Sequence, residues 1–277
     1  MVLEELGGGG IVVEDEGPAG QPEEWDGSIA SLNTARDRHA ASEANGLIYA
    51  IGGRDSGNST LASVEEYDPE TDTWTTVSSL NTGRERHASA SVNGLVYAMG
   101  GDDGNAVISS VEEYDPGADA WTTVSSLNTA EEFFSAAAAD GFIYAIGGAS
   151  SPASVEEYDP GTDTWTTVSS LNTGRERHAA ASVNGLVYAI GGQDATNALK
   201  SSVEEYDPGT DTWTTVSSLT QVRSSLSASS LDGRIYSIGG GDSSFNETAE
   251  VEQYNPDTDA WSVVEPMNQA RAISAAA

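Results

Sequence analysis

A repeat of about 45 residues, strand-sized apolar runs divided by turn residues, and a graded change of side-chain size within each repeat predict an all-β protein. In that fold class, a β-propeller, four-stranded antiparallel sheets circle a common axis. The period is carried by Trp25, Trp74, Trp121, Trp165, Trp213 and Trp261, spaced 49, 47, 44, 48 and 48 residues apart, and by Gly pairs starting at 52, 100, 147, 191 and 239. Tyr67, Tyr114, Tyr158, Tyr206 and Tyr254 keep step, each in a VEEY or VEQY run. Units of this length form propellers or solenoids.

Within a unit the first element is Ala-rich, as in HAAASV at 178–183, and it runs straight into Asn184-Gly185. Asn-Gly or Asp-Gly recurs at 45, 93, 140, 184 and 232. That pair favours a two-residue hairpin because both central residues take positive φ, so the Ala-rich run is strand A, paired with the strand B that follows. Strand B ends in Gly-Gly, as in LVYAIGG; strand C carries the Tyr, as in SVEEYDP; strand D opens at Trp, as in WTTVSSL. Small side chains suit strand A beside a crowded axis, and Tyr and Trp suit the wide outer gaps. This gradient favours a propeller over a linear stack.

Gly-Gly after an apolar strand, then Tyr, then Trp at a fixed offset, as in YAIGGASSPASVEEYDPGTDTW at 144–165, resembles the Kelch repeat. Five such motifs lie in register over nearly the whole chain, and the resemblance implies four-stranded blades closed into a ring. Residues 267–277 align with a strand A, VLEELGG with strand B, and IVVEDEGP with a strand C lacking its Tyr, while Trp25 opens a strand D. The expectation is a single domain over 1–277, a six-bladed β-propeller. Full blades fall near 35–80, 83–127, 130–171, 174–219 and 222–266, with a closing blade from 1–29 plus 267–277. A truncated larger propeller is the alternative.

Forty-four Asp and Glu face eleven Lys and Arg, only one of them Lys (Lys200), for a net charge of −33. Such a charge repels nucleic acid and anionic membrane, so neither is expected as a partner. It also pushes a compact state apart, whereas in molar salt the screening length shrinks to about 3 Å. The composition resembles that of proteins from salt-loving organisms; an acidic interaction surface is the competing reading. With no Cys, disulfides, thiolate metal sites and a Cys nucleophile are excluded. Propeller oxidases with a Tyr-Cys radical cofactor are excluded with them. No cofactor and no metal site is expected. No run approaches the roughly 18 apolar residues of a membrane helix, and MVLEELGGGG lacks the pattern of a signal peptide. The expectation is a soluble chain, cytoplasmic by default, or at the cell surface if it is cut from a longer exported protein.

Strand alternation puts the A–B and C–D turns on one face and the B–C and D–A loops on the other. On the first face, carboxylates such as Asp159 and Asp163 read as turn formers rather than calcium ligands. The B–C loops differ from blade to blade, although residues 63–101 and 154–192 differ at only three of 39 aligned positions. Function concentrates in variable loops. The D–A loops carry RDRH at 36–39 and RERH at 84–87 and 175–178; with Arg223 and Arg271 they hold eight of the ten arginines and all three histidines.

Arg36, Arg38, Arg84, Arg86, Arg175, Arg177, Arg223 and Arg271 are therefore expected around the channel mouth, where they could hold carboxylate, phosphate or an acidic loop. The structural reading pairs Arg36, Arg84, Arg175, Arg223 and Arg271 with strand C acids such as Glu65, Glu66, Glu156 and Glu157, and leaves Arg38, Arg86 and Arg177 as the more functional set. Local hydrogen bonding is expected for His39, His87 and His178. The third blade reads AEEFF at 130–134: Glu131 replaces the first Arg, and Phe133 and Phe134 replace the second Arg and the His.

These candidates fit a non-enzymatic scaffold, monomeric and without assigned catalytic residues. It binds an unknown protein or small anionic ligand through the B–C and D–A loop face. One alternative is an enzyme resembling Kelch-type sugar-acid isomerases or mutarotases, with Arg on the substrate carboxylate and Glu131 or a His as proton shuttle. A second is a cell-surface module, from the sequons Asn58-Ser59-Thr60 and Asn246-Glu247-Thr248. If the acidic composition is an adaptation to salt, the far-ultraviolet β signal holds in molar NaCl and falls away on dilution to the millimolar range. A spectrum unchanged by dilution refutes that adaptation.

Overall fold

The computed structural model describes residues 30–272 apart from 245. The first blade comprises β1 (Ala40–Ala44), β2 (Leu47–Ile51), β3 (Val64–Asp68) and β4 (Thr73–Val77). The second comprises β5 (Ala88–Val92), β6 (Leu95–Met99), β7 (Val111–Asp115) and β8 (Ala120–Val124). The third comprises β9 (Ser135–Ala139), β10 (Phe142–Ile146), β11 (Val155–Asp159) and β12 (Thr164–Thr167). The fourth comprises β13 (Ala179–Val183), β14 (Leu186–Ile190), β15 (Val203–Asp207) and β16 (Thr212–Val216). The fifth comprises β17 (Ser227–Leu231), β18 (Arg234–Ile238), β19 (Val251–Asn255) and β20 (Ala260–Val263). Each sheet is an antiparallel meander in A-B-C-D order.

The Asx-Gly pairs form the tight A–B hairpins: Ala44 faces Leu47 across Asn45 and Gly46, at φ 58° and 81°. Burial then grades outward. Strand B is buried on both faces after its first residue, while strand D is largely exposed. The innermost strands pack in chain order, β1 on β5, β5 on β9, β9 on β13 and β13 on β17. Their small residues allow this approach, and Ser89 Oγ reaches both Ser42 Oγ (2.8 Å) and the Ala41 carbonyl (2.9 Å).

Between successive blades lies an aromatic core. Tyr49 of β2 meets the edge of Tyr114 in the next blade at 5.5 Å, and Tyr114 lies 5.0 Å from Trp121. The same trio recurs as Tyr97–Tyr158–Trp165, Tyr144–Tyr206–Trp213 and Tyr188–Tyr254–Trp261. These large side chains fill the outer part of each wedge, as their spacing predicts.

The C–D turn supplies a latch. Asp119, at φ 47°, accepts from the Tyr114 hydroxyl (2.9 Å) and from the Ser78 N–H of the preceding blade (2.8 Å), while Trp121 Nε1 donates to the Ser78 carbonyl (2.9 Å). Asp163, Asp211 and Asp259 repeat it with Ser125, Ser169 and Ser217. The Ser N–H, ahead of the Tyr hydroxyl, holds the Asp119 carboxyl below its ordinary range.

The expected blade count requires correction: the described residues form five blades, not six. Residues 1–29 and 273–277, on which most of the closing blade rests, lie outside the described residues. The part of that blade that is described, 267–272, is the loop leaving the fifth blade, tied back to it by Met267 N–H on the Ala249 carbonyl and Arg271 N–H on the Thr248 carbonyl. The physical reason is visible in composition. Residues 1–29 contain Trp25 but no Tyr, the residue that anchors the latch in the other blades. Among the described residues no comparable packing joins β17 to β1.

Tyr158→Phe removes one latch hydrogen bond, the 2.9 Å contact to Asp163, and leaves the aromatic core intact. Denaturant unfolding should show a loss of about 1 kcal/mol with an unchanged m-value.

Candidate functional site

Each D–A loop belongs to two blades. The Arg84 N–H donates to the Leu61 carbonyl and its own carbonyl accepts from Gly53 N–H, which tie the backbone to the first blade. Its side chain runs into the second blade, where Nη1 donates to the carbonyls of Gly100 (2.9 Å) and Ser110 (2.8 Å) and Nη2 to Glu112 (2.7 Å). Arg36 repeats this with Gly52, Ser63 and Glu65, and Arg175 with Gly191, Ser202 and Glu204. Arg223 repeats it with Gly239, Glu250 and Glu252. These four side chains are 0–2% exposed. Burial lowers the pKa of Arg84 and Arg175, and the facing carboxylate pushes it back up. Arg271, in the corresponding loop, is also buried. The expected ring of eight mouth arginines is thus not present among the described residues, because the side chains of Arg36, Arg84, Arg175 and Arg223 point into a blade.

Two residues further on, the loop reaches the channel mouth. Arg38, Arg86, Phe133, Arg177 and Ser225 occupy the same place in successive blades, all left-handed at φ 55°, 55°, 57°, 52° and 54°. Non-glycine residues adopt that conformation only when surroundings enforce it. The enforcement is a girdle of backbone hydrogen bonds. Arg86 N–H donates to the Arg38 carbonyl (2.9 Å), Phe133 to Arg86 (3.1 Å), Arg177 to Phe133 (2.8 Å) and Ser225 to Arg177 (2.7 Å).

Their side chains rim a cavity of about 110 Å³. The Phe133 ring lies between two guanidinium groups, with Arg177 Cζ 3.7 Å and Arg86 Cζ 4.9 Å from its centroid. Arg38 is paired with Glu85 at 3.1 Å and Arg86 with Glu132 at 2.9 Å. Arg177 is part-buried and has no ion pair among the described residues. Burial lowers its pKa first, and Arg86 and Arg38 lower it further, against the pull of Glu176. It stays charged, since arginine titrates far above neutrality.

The next residue in each blade, His39, His87, Phe134, His178 or Leu226, forms the floor of this cavity. His87, Phe134, His178 and Leu226 press on the first glycine of the preceding blade's Gly pair; a Cβ on Gly52 would stand 3.1 Å from His87 Cε1 and one on Gly147 3.0 Å from His178 Cε1. The hydrogen bonding expected for the histidines is not found for His87 and His178, whose ring nitrogens have no partner among the described residues. Phe and Leu at the sister positions explain why: the place is a packing plug. Burial, then the neighbouring Arg84 or Arg175, holds both imidazoles well below their usual pKa.

Glu131 is not at the mouth. It is 5% exposed and accepts from the backbone N–H groups of Ser150 (2.5 Å) and Ser151 (2.9 Å) in the B–C loop. At the opposite end, a wider cavity of about 470 Å³ is lined by Ala and Ser of the A strands, with Glu43. Asp159 caps its own turn through Gly161 N–H, and Asp163 serves the latch. No cluster of three or more His, Cys, Asp or Glu converges among the described residues.

The Kelch motif matches at residues 35–81, 83–128, 133–172, 174–220 and 223–268. The chain belongs to the Kelch-repeat family. Single repeats are 45% identical over 49 residues to an F-box/kelch-repeat protein of Arabidopsis thaliana and 44% identical over 48 residues to alpha-scruin of Limulus polyphemus. Those matches span 18% and 17% of this chain, and only 13% and 5% of the relatives. The solved structure of YjhT shares the fold, with a TM-score of 0.76 at 15% identity over 87% of this chain and 86% of that one.

Sequence reasoning missed Glu85 and Glu132, which neutralise Arg38 and Arg86 at the mouth of this Kelch propeller. The available signal was their shared place in the repeat, Glu85 before Arg86 in RERH and Glu132 before Phe133 in EEFF.

Because His178 resists protonation in the fold but not when unfolded, stability should fall as pH drops below about 6.5. His178→Leu, the residue its sister blade uses, should make that decline shallower by up to about 1.4 kcal/mol per pH unit in denaturant titrations.

Proposed function

We propose that this Kelch propeller is a non-enzymatic scaffold that binds an acidic group of a partner, a carboxylate side chain or carboxylate ligand, on the face bearing the B–C and D–A loops. The observation that carries this reading is Arg177. Its guanidinium is stacked on Phe133 beside Arg86, and it has no carboxylate partner among the described residues. Ordering by the girdle and the ring reduces the conformational entropy lost on binding. A carboxylate would take paired N–H donors in the plane of the stacked group.

Two features support a scaffold over the isomerase alternative. Glu131, its candidate acid or base, faces the third blade's B–C loop, and His87 and His178 are buried as plugs with lowered pKa. The near-identical blades supply a frame, while variation is concentrated in the loops. The body's charge of −33 opposes an acidic partner at low salt; in molar salt screening leaves direct contact dominant.

A fluorescein-labelled Glu-rich peptide and glucuronate serve as probes, by anisotropy and thermal shift in molar NaCl. Arg177→Ala should weaken binding at least tenfold and Phe133→Ala several-fold. Arg234→Ala, beside Asp257 on the opposite face, should change nothing. Equal affinity in wild type and Arg177→Ala overturns the reading.

A further inference from the structure

In four of the five blades the chain fills one buried pocket with its own guanidinium. The acceptors are the carbonyl of the first Gly of the Gly pair, a carbonyl just before strand C, and the first Glu of that strand. The third blade keeps every acceptor: Gly147, Ser154 and Glu156. It lacks the cation, because Glu131 stands where Arg36, Arg84, Arg175 and Arg223 stand in the others. A neutral pair has become two buried carboxylates, Glu131 at 5% and Glu156 at 6% exposure, lining one small cavity with Ser151, Ser154 and Thr129.

The hydrogen bonds around Glu156 have shifted accordingly. Asn33, Asn81 and Asn172 turn their side-chain amides to the carbonyls of Trp74, Trp121 and Trp213. Asn128 instead directs both its backbone N–H (2.8 Å) and its Nδ2 (2.9 Å) to Glu156 Oε2. The sister oxygens Glu65 Oε1, Glu112 Oε1 and Glu204 Oε1 each take a guanidinium and a Thr N–H. Glu156 Oε1 takes no hydrogen bond among the described residues, although its side chain is more than nine-tenths buried and faces the cavity.

We infer that this cavity is a cation site for a hard, calcium-like divalent ion, held by Glu131, Glu156 and the carbonyl oxygens of Gly147 and Ser154. The cavity measures about 10 Å³, on the order of one water-sized sphere, which gives room for a single small ion. The oxygens are carboxylate, carbonyl and hydroxyl, the donor set of hard cations. A divalent charge also matches the two carboxylates that replace one ion pair. The site would restore the electrostatic lock that the other blades make internally, and it is independent of ligand binding at the mouth.

The test is calorimetric titration of the EDTA-treated chain with CaCl₂ in a fixed molar NaCl background, paired with thermal unfolding. Wild type should show one saturable site above the weak binding of its acidic surface, and a higher Tm with calcium. Glu131→Gln and Glu156→Gln should weaken that site at least tenfold. Glu131→Arg, which recreates the sister arrangement, should abolish it and make Tm insensitive to calcium. Glu70→Gln makes the same charge change at an exposed turn and should leave the site intact. A wild type with no saturable site, or a Glu131→Gln isotherm equal to that of wild type, overturns the inference. Should Glu131→Arg fail to fold, the two Gln variants decide.

Discussion

A guanidinium buried in the neighbouring blade is the constraint on which this molecule depends. The loop that carries each arginine is fastened by its backbone to one blade, and the charge reaches a carboxylate and two carbonyls in the next. Removing a charge from water is costly, and a buried pair holds only when every donor and acceptor is placed well. Breaking one partner leaves the other exposed to the full penalty. The pair therefore sets the angle and distance between sheets more strictly than apolar contact would. On the opposite face the Tyr–Asp latch ties the Ser N–H of the preceding strand D, and the Trp indole takes the Ser carbonyl. Each wedge is pinned at both ends with an aromatic filling between.

The mouth inherits its geometry from that lock. Two residues after the buried arginine the chain turns left-handed, and backbone hydrogen bonds from blade to blade hold it there. Because the backbone does the holding, the side chain is free to vary, and it does: Arg, Arg, Phe, Arg and Ser in order. A scaffold of near-identical parts thus presents a rim that is not symmetric. Phe133 between Arg86 and Arg177 is the outcome, an aromatic plate that positions two cations by contact with its faces.

The third blade shows what happens when one part of a repeated lock is exchanged. Glu131 cannot reproduce the arginine's contacts, so it turns to the short B–C loop, and Asn128 turns toward the orphaned Glu156. The neighbouring backbone is otherwise kept: Gly148 N–H still reaches the Arg175 carbonyl and Phe133 still joins the girdle. A change of charge was absorbed without a change of fold, because hydrogen bonds of the main chain carry the blade-to-blade connection alongside the ion pair.

The local chemistry of single strands was decided by the sequence. Asx-Gly pairs need positive φ at both positions and so mark hairpins, and the spacing of Tyr and Trp marks the outer strands; both follow from rules that act within a few residues. The same was true of blade identity, since the Kelch pattern lies within each unit. Tertiary structure alone decided which way the loop arginines point, because successive residues such as Arg84 and Arg86 differ only in which neighbouring blade or channel they meet. It decided that the histidines are plugs, through glycines more than thirty residues away in sequence. Among the described residues it also decided the number of blades, five rather than six, because alignment can extend a strand pattern into a segment that lacks the Tyr of the latch.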